Sequence, residues 1–353
     1  MKMRYLAATL MLLAAGRAGA VTKDVEVLLV GVATPPLVQA RRALDALESH
    51  AGGKKPLSDA DAAQAAAIVT RAVRSLPAGD KLLLPRLRRL AKTHQADTVP
   101  TAKRPLTSKN HLGRLLLTLQ VQETKRAAPE KVRAHPAAVE FPGAVPADAK
   151  RVTRTLQIDT RVSDWHSTGL YAAPGEVITV TVPKTAAGKK LAVRIGAHKD
   201  RLWRHDRWRR APEICRQFPI DGPRTRAANA FGGLVYVVVP RECDLGTIKV
   251  TIRGAVEAPY YVHGVTDLKQ WREAIRSRPA PWAELVTKKV VLTLPSKVVR
   301  GLDDPKDVMD FWDRVMDACA ELAAWPLDRP RPERYVTDVQ ISAGYMHAGY
   351  PIM

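Results

Sequence analysis

Beyond residue 20, every large aromatic ring lies in the back of the chain. Residues 21–140 contain no Phe, Trp or Tyr, whereas residues 141–353 hold eighteen of the nineteen aromatics. A segment without rings buries only modest area per residue, so the front must build its core from Leu, Val and Ala. The length of 353 residues suits about two or three domains, and the ring distribution places a boundary near residue 140.

Charge does not follow this partition. The chain carries 56 Lys and Arg against 35 Asp and Glu, a formal net charge of +21. Residues 21–140 and 141–353 share that excess equally, at +9 each, with +3 before residue 21. An excess spread this evenly reads as solvated surface, which disfavours a dedicated nucleic-acid module. It suits acidic partners in general.

Met1–Ala20 has the pattern of a secretory signal, with Lys2 and Arg4 ahead of a short apolar stretch and Ala18-Gly19-Ala20 at the cleavage position. The expected location is therefore secreted or periplasmic. No apolar run reaches the length of a membrane span, so no transmembrane segment is expected.

The front reads as a small helical module over 21–126. Leu37, Ala40, Leu44 and Leu47 recur at helical spacing. Ser58, with Asp61 three residues later, caps an Ala-rich helix to about Leu76. A third helix is expected over Asp80–Leu90, interrupted by Pro85. Leu115–Val121 reads as a strand. The four prolines of 127–149 mark a Pro/Ala-rich linker.

The back opens with alternation. Ile178, Val180 and Val182 share one face, as do Leu191, Val193 and Ile195; Leu234, Tyr236 and Val238; and Ile248, Val250 and Ile252. One buried and one wet face per strand predicts antiparallel sheets, hence a β-sandwich within 150–264. An α+β pattern follows over 265–353. Thr266 caps a helix bearing Leu268, Trp271 and Ile275, and Val290–Leu294 is a strand. Asp304-Pro305 opens a helix with the stripe Val308, Trp312, Val315, Met316, Cys319 and Leu322, and Val336–Ile341 is a strand. Trp312 and Val315 are expected to be exposed unless something covers them.

Particular strings then carry a resemblance. Trp165–Glu176 (WHSTGLYAAPGE), Ile195–His198, Trp208–Pro212, Gly232–Tyr236, Ala280–Leu285 and Gly344–Met353 resemble, in order, segments of the enhancin-like zinc metallopeptidases. These are secreted or viral enzymes that cut mucins and other glycoproteins. The resemblance spans roughly 140–353 and implies a β-sandwich leading into a zincin-like catalytic domain. The expected fold is thus α+β and multidomain: a helical module, an antiparallel β-sandwich, then the incomplete start of a zincin-like domain. A glycoprotein or mucin-like substrate is the partner the resemblance implies.

The chemistry of such an enzyme needs two histidines one helical turn apart, a glutamate beside the first, and a third ligand. None of the nine histidines is followed by Glu, and none has another His four residues on. The resemblance places the zinc helix beyond the string ending at Met353, so the expectation is a family member cut before that helix. No cofactor is expected in this chain, and zinc only in a full-length relative. The alternative is a non-catalytic glycan- or protein-binding module.

By position, Tyr345, His347 and Tyr350 are the substrate-contact candidates, with terminal packing as the competing reading. Cys215 and Cys243 either form a disulfide or remain two buried thiols. Cys319 reads as a core residue. The run Arg201–Arg210 is either an anion- or glycan-facing surface or a solvated loop with Trp203 and Trp208 turned inward, and the loop is the simpler reading.

Overall fold

The computed structural model describes residues 36–77 and 79–353, so the signal-like segment 1–20 lies outside the described residues. Among the described residues, four α-helices form the front: α1 (Pro36–Ala51), α2 (Asp59–Ser75), α3 (Leu84–Thr93) and α4 (His111–Arg126). Ala40, Leu44 and Leu47 of α1 meet Val69 and Val73 of α2, Leu87 of α3 and Leu116 of α4 in one aliphatic core. Ser58 caps α2 by accepting from the Asp61 N–H. Two sequence expectations fail here. Pro85 sits in the first turn of α3, where its missing N–H costs nothing, so it opens the helix rather than interrupting it. Leu115–Val121 is the middle of α4, not a strand.

A two-residue strand, β1 (Leu106–Thr107), pairs with β6 (Arg207–Trp208) and ties the helices to the sandwich. Residues 127–149 do not form a free tether. They make short helical turns and bury Val132, Ala137, Ala138 and Phe141 against the sandwich and the last domain.

The sandwich is one antiparallel sheet folded over itself. Its strands are β2 (Val152–Asp159), β3 (Asp164–Ala172), β4 (Ile178–Thr181), β5 (Ala192–Ile195), β7 (Arg216–Pro219), β8 (Arg224–Ala227), β9 (Gly233–Val239) and β10 (Thr247–Glu257). They run in the order β7-β5-β9-β3-β10-β4-β8, with β2 also on β10. The register breaks between Arg253 and Ala255, where Gly254 takes φ of 90°, so β10 bends from pairing β2 and β4 to pairing β3. Ile178, Val180, Val193, Ile195, Val235, Val237, Ile248, Val250 and Ile252 fill the space between the layers. Strand β10 alternates buried and exposed positions as expected. Strand β9 is buried on both faces, because Leu234 and Tyr236 are covered by a second core on the outer side.

The last domain is a mixed four-stranded sheet, β11 (Tyr260–Val262), β12 (Trp282–Val286), β13 (Val290–Pro295) and β14 (Glu333–Val336), with both outer pairs parallel. A short helix, α5 (Leu268–Glu273), is capped by Asp267 rather than Thr266, whose hydroxyl accepts from the Val262 N–H instead. A one-turn helix, α6 (Ser296–Val299), follows β13. The long helix α7 (Lys306–Leu322) lays Met309, Trp312 and Met316 on the sheet. Cys319 is exposed rather than in the core, since the inward face runs through Met309, Met316 and Ala320. Trp312 and Val315 are half-buried, whereas Val308 and Leu322 of the expected stripe are exposed, as are Phe311 and Trp325. The final strand ends at Val336, because Asp338 leaves the sheet for a buried pair with Arg210.

Candidate functional site

The seam between the sandwich and the last domain gathers the polar residues. Strand β12 is otherwise apolar, yet Glu284 lies on it at 1% exposure. Its Oε1 accepts from the Tyr236 hydroxyl of β9 at 3.0 Å and from the Arg334 guanidinium of β14. Arg334 also donates to the Ser167 hydroxyl (2.9 Å) and the Trp165 carbonyl (3.3 Å) of β3. One buried ion pair thus crosses from the four-stranded sheet into the sandwich. Its charges are desolvated, so its worth lies in the completeness of its bonds.

A second buried pair lies nearby. Arg210 donates from Nε and Nη2 to the two carboxylate oxygens of Asp338 at 2.8 and 2.7 Å, and both side chains are fully buried. It pins the segment after β14 to the 198–212 loop. Gln340 extends the contact by accepting from the Arg209 N–H and donating to the Arg207 carbonyl.

The last residues then turn back along β14. Ile352 makes a parallel bridge with Tyr335, donating to the Arg334 carbonyl and accepting from the Val336 N–H. His347 Nε2 lies 2.7 Å from Asp200 Oδ2, which also accepts from the Ser342 N–H at 2.6 Å. The bond to Asp200 raises the His347 imidazole above its ordinary value. Burial pushes the Asp200 carboxyl up, and the bonds from His347 and Ser342 more than reverse this. The Ser342 hydroxyl approaches the same Nε2, at 3.4 Å, so the three groups do not form a nucleophile relay, which needs both ring nitrogens.

The three positional candidates do not converge. Tyr345 is fully exposed, while His347 is tied to Asp200. Tyr350 is half-buried, edge-on to Trp165 with the Arg331 guanidinium 3.8 Å above its ring. Cys215 and Cys243 are both free. Cys215 donates its thiol to the His198 carbonyl and packs on the outer core, whereas Cys243 packs on the inner core, so the thiols face different layers. Trp208 is buried and Trp203 packs beside it, as the solvated-loop reading requires.

The donor set does not fit a catalytic zinc. Among the described residues no group of three or more His, Cys, Asp or Glu is placed to hold a metal. The buried imidazoles are committed elsewhere. His198 reaches the Thr337 carbonyl between Phe141 and Trp282, and His135 reaches Gln120 and the Ala137 N–H.

A β-sandwich feeding a mixed sheet backed by one long helix is the front architecture of an M60-type metallopeptidase. The family models agree. The N-terminal domain of M60-like peptidases matches residues 147–253, and peptidase M60, enhancin and enhancin-like, matches residues 254–353. These matches together cover more than half of the chain, which belongs to the enhancin-like M60 family.

Among curated relatives, the TRPM8 channel-associated factor homolog of Xenopus laevis is 47% identical over 189 residues, 54% of this chain and 21% of the relative. TRPM8 channel-associated factor 2 of Bos taurus is 46% identical over 202 residues, 56% of this chain and 22% of the relative. The chain thus spans about a fifth of the length of these relatives. Among solved structures, the IMPa metallopeptidase from Pseudomonas aeruginosa superposes with a TM-score of 0.52 at 17% identity, covering 83% of this chain and 38% of that one. That likeness speaks to the fold.

The buried polar residues of this seam that the sequence reading missed are Asp200, Glu284, Arg334 and the Arg210–Asp338 pair. A signal for one of them was present: a lone Glu in the apolar run of β12 must have a buried partner.

Proposed function

We propose that these 353 residues act as a recognition part of an M60-type protein, engaging a glycoprotein without cleaving it. The reading is supported by an M60 match over 254–353 together with a sequence in which no histidine is followed by Glu or by another His four residues on. The glycoprotein ligand and the location outside the cytoplasm come from the family resemblance and the signal-like residues 1–20. No helix of the described residues is long and apolar enough to cross a membrane.

The test is to incubate the purified chain with a mucin-type glycoprotein and zinc. The expected result is retention on the immobilised glycoprotein, no new fragments by mass spectrometry, and substoichiometric zinc after dialysis. Stoichiometric zinc with digestion blocked by a chelator would overturn the reading.

The identity to the TRPM8 channel-associated factors favours a second reading, a protein-binding module that attaches to a membrane channel. Co-precipitation with a TRPM8-type channel and no retention on the glycoprotein would select it.

A further inference from the structure

On the sandwich edge, β5, β7, the 198–201 loop and the end of α4 line a solvent-open cavity of about 490 Å³. Its cations are Lys125, Arg194, Lys199, Arg201 and Arg216, and its one carboxylate is Glu213. Glu213 is spent: it bridges Lys125 at 2.5 Å and Arg201 at 3.1 Å, and accepts from the Trp203 indole. Arg216 is used in part, donating to the Ala127 carbonyl just past the C-terminus of α4 and, at 3.4 Å, to the Ala228 carbonyl.

Arg194 and Lys199 are different. Both are half-buried, and neither has a carboxylate within ion-pair distance among the described residues. The Arg194 guanidinium carbon lies 4.2 Å from the centre of the Trp165 ring, with Nε bonded to the Gly196 carbonyl and the Cys215 thiol within hydrogen-bonding reach of the same guanidinium. Burial lowers the Lys199 ammonium; Asp200 raises it, and the Arg194 charge lowers it further. Burial also lowers Arg216. Five partly desolvated cations around a single lining carboxylate cost free energy that an incoming anion recovers.

We infer that this cavity binds the acidic groups of a sulfated or carboxylated glycan. Several fixed cations call for more than one acid group, and the volume exceeds what a single oxyanion fills. Guanidinium forks match such oxyanions in two-point geometry. Single-stranded nucleic acid fits poorly, because base stacking needs open ring faces. Here Arg194 covers Trp165, and Phe218 lies between Arg216 and the sandwich core. The inference names a ligand class for the glycoprotein reading above, but it stands on residues of the sandwich alone.

The experiment is calorimetric titration of the full chain with a heparin hexasaccharide, its desulfated N-acetylated counterpart, and a thymidine decanucleotide, all at one salt concentration. The fully sulfated sugar is expected to bind, with the desulfated one weaker where sulfate dominates and equal where carboxylate suffices. Lys199→Gln should weaken binding about tenfold, the worth of one charge-assisted bond. Arg194→Gln with Lys199→Gln should weaken it further. Lys189→Gln with Lys269→Gln removes the same charge from exposed positions outside the cavity and should change affinity less than about twofold.

Equal losses in both double variants would show diffuse attraction and overturn the inference, as would decanucleotide binding as tight as the sugar's. If the Arg194 variant does not fold, Lys199→Gln alone decides. Retention of the mucin-type glycoprotein without any binding of the acidic sugars would sink this inference and leave the recognition reading standing.

Discussion

Glu284 and Arg334 are each about 1% exposed, and each is the other's counter-charge. Removing one charge leaves the other buried and uncompensated, which costs far more than the pair contributes. Glu284→Gln keeps the shape of the side chain and strands the Arg334 guanidinium. The expected loss is on the order of 3 kcal/mol in urea unfolding. Replacing both partners with Leu and Met should be milder than either single change, since no charge then remains to be solvated. Additive losses would show that the pair is not the coupled unit the contacts describe. Neither residue was legible as a partner of the other, because fifty positions separate them and they lie on strands that do not pair directly.

At the scale of elements, close packing rather than propensity decides the joins. The turn between β3 and β4 places Gly175 at φ of 75°, where a Cβ would stand 2.2 Å from the Ala134 backbone N. Any side chain there is strained by the backbone conformation and collides with the 127–149 segment. Gly175→Ala is therefore expected to cost at least about 2 kcal/mol and to speed tryptic cleavage after Arg133 by loosening its backbone, with unchanged melting and digestion as the contrary result.

The sequence shows elements well where one face is wet. The α1 spacing, the α2 cap and the β10 alternation are all readable in that way. It misleads where both faces are covered. In α4, Leu115, Leu116 and Leu119 enter the helical core while Leu117 and Val121 enter the outer core of the sandwich. The helix therefore has no exposed position over that run, and its period vanishes into a largely apolar stretch indistinguishable from a buried strand. The candidate site was less legible still. Tyr350 and Trp165 meet only because the last residues fold back on β14, and no local pattern encodes that return.

Two seams hold the three parts of the molecule together, and a buried histidine sits in each. His135 joins Gln120 of α4 to the sandwich, stacking 4.9 Å from Phe231. His198 joins the sandwich to the Thr337 carbonyl of the last domain. Burial lowers both imidazoles to about 4, from 6.5 when unfolded. A base depressed in the fold contributes stability that is whole above pH 6.5 and is lost as pH falls toward 4, at a cost of about 3 kcal/mol for each ring. His347 runs the opposite way. Its raised value means the tie to Asp200 is complete below pH 6.5 and fades as pH rises through the folded value. Mild acid should therefore loosen the seams while keeping the terminal segment tethered. Hydrogen exchange at pH 7 and pH 5 should show faster opening at 130–140 and 196–200 before the β9 and β10 core is affected. His198→Gln, which retains an N–H for the Thr337 carbonyl, should flatten the acid slope of urea stability by roughly half. An unchanged slope in that variant would mean that acid acts elsewhere, and that the seams do not depend on neutral imidazoles.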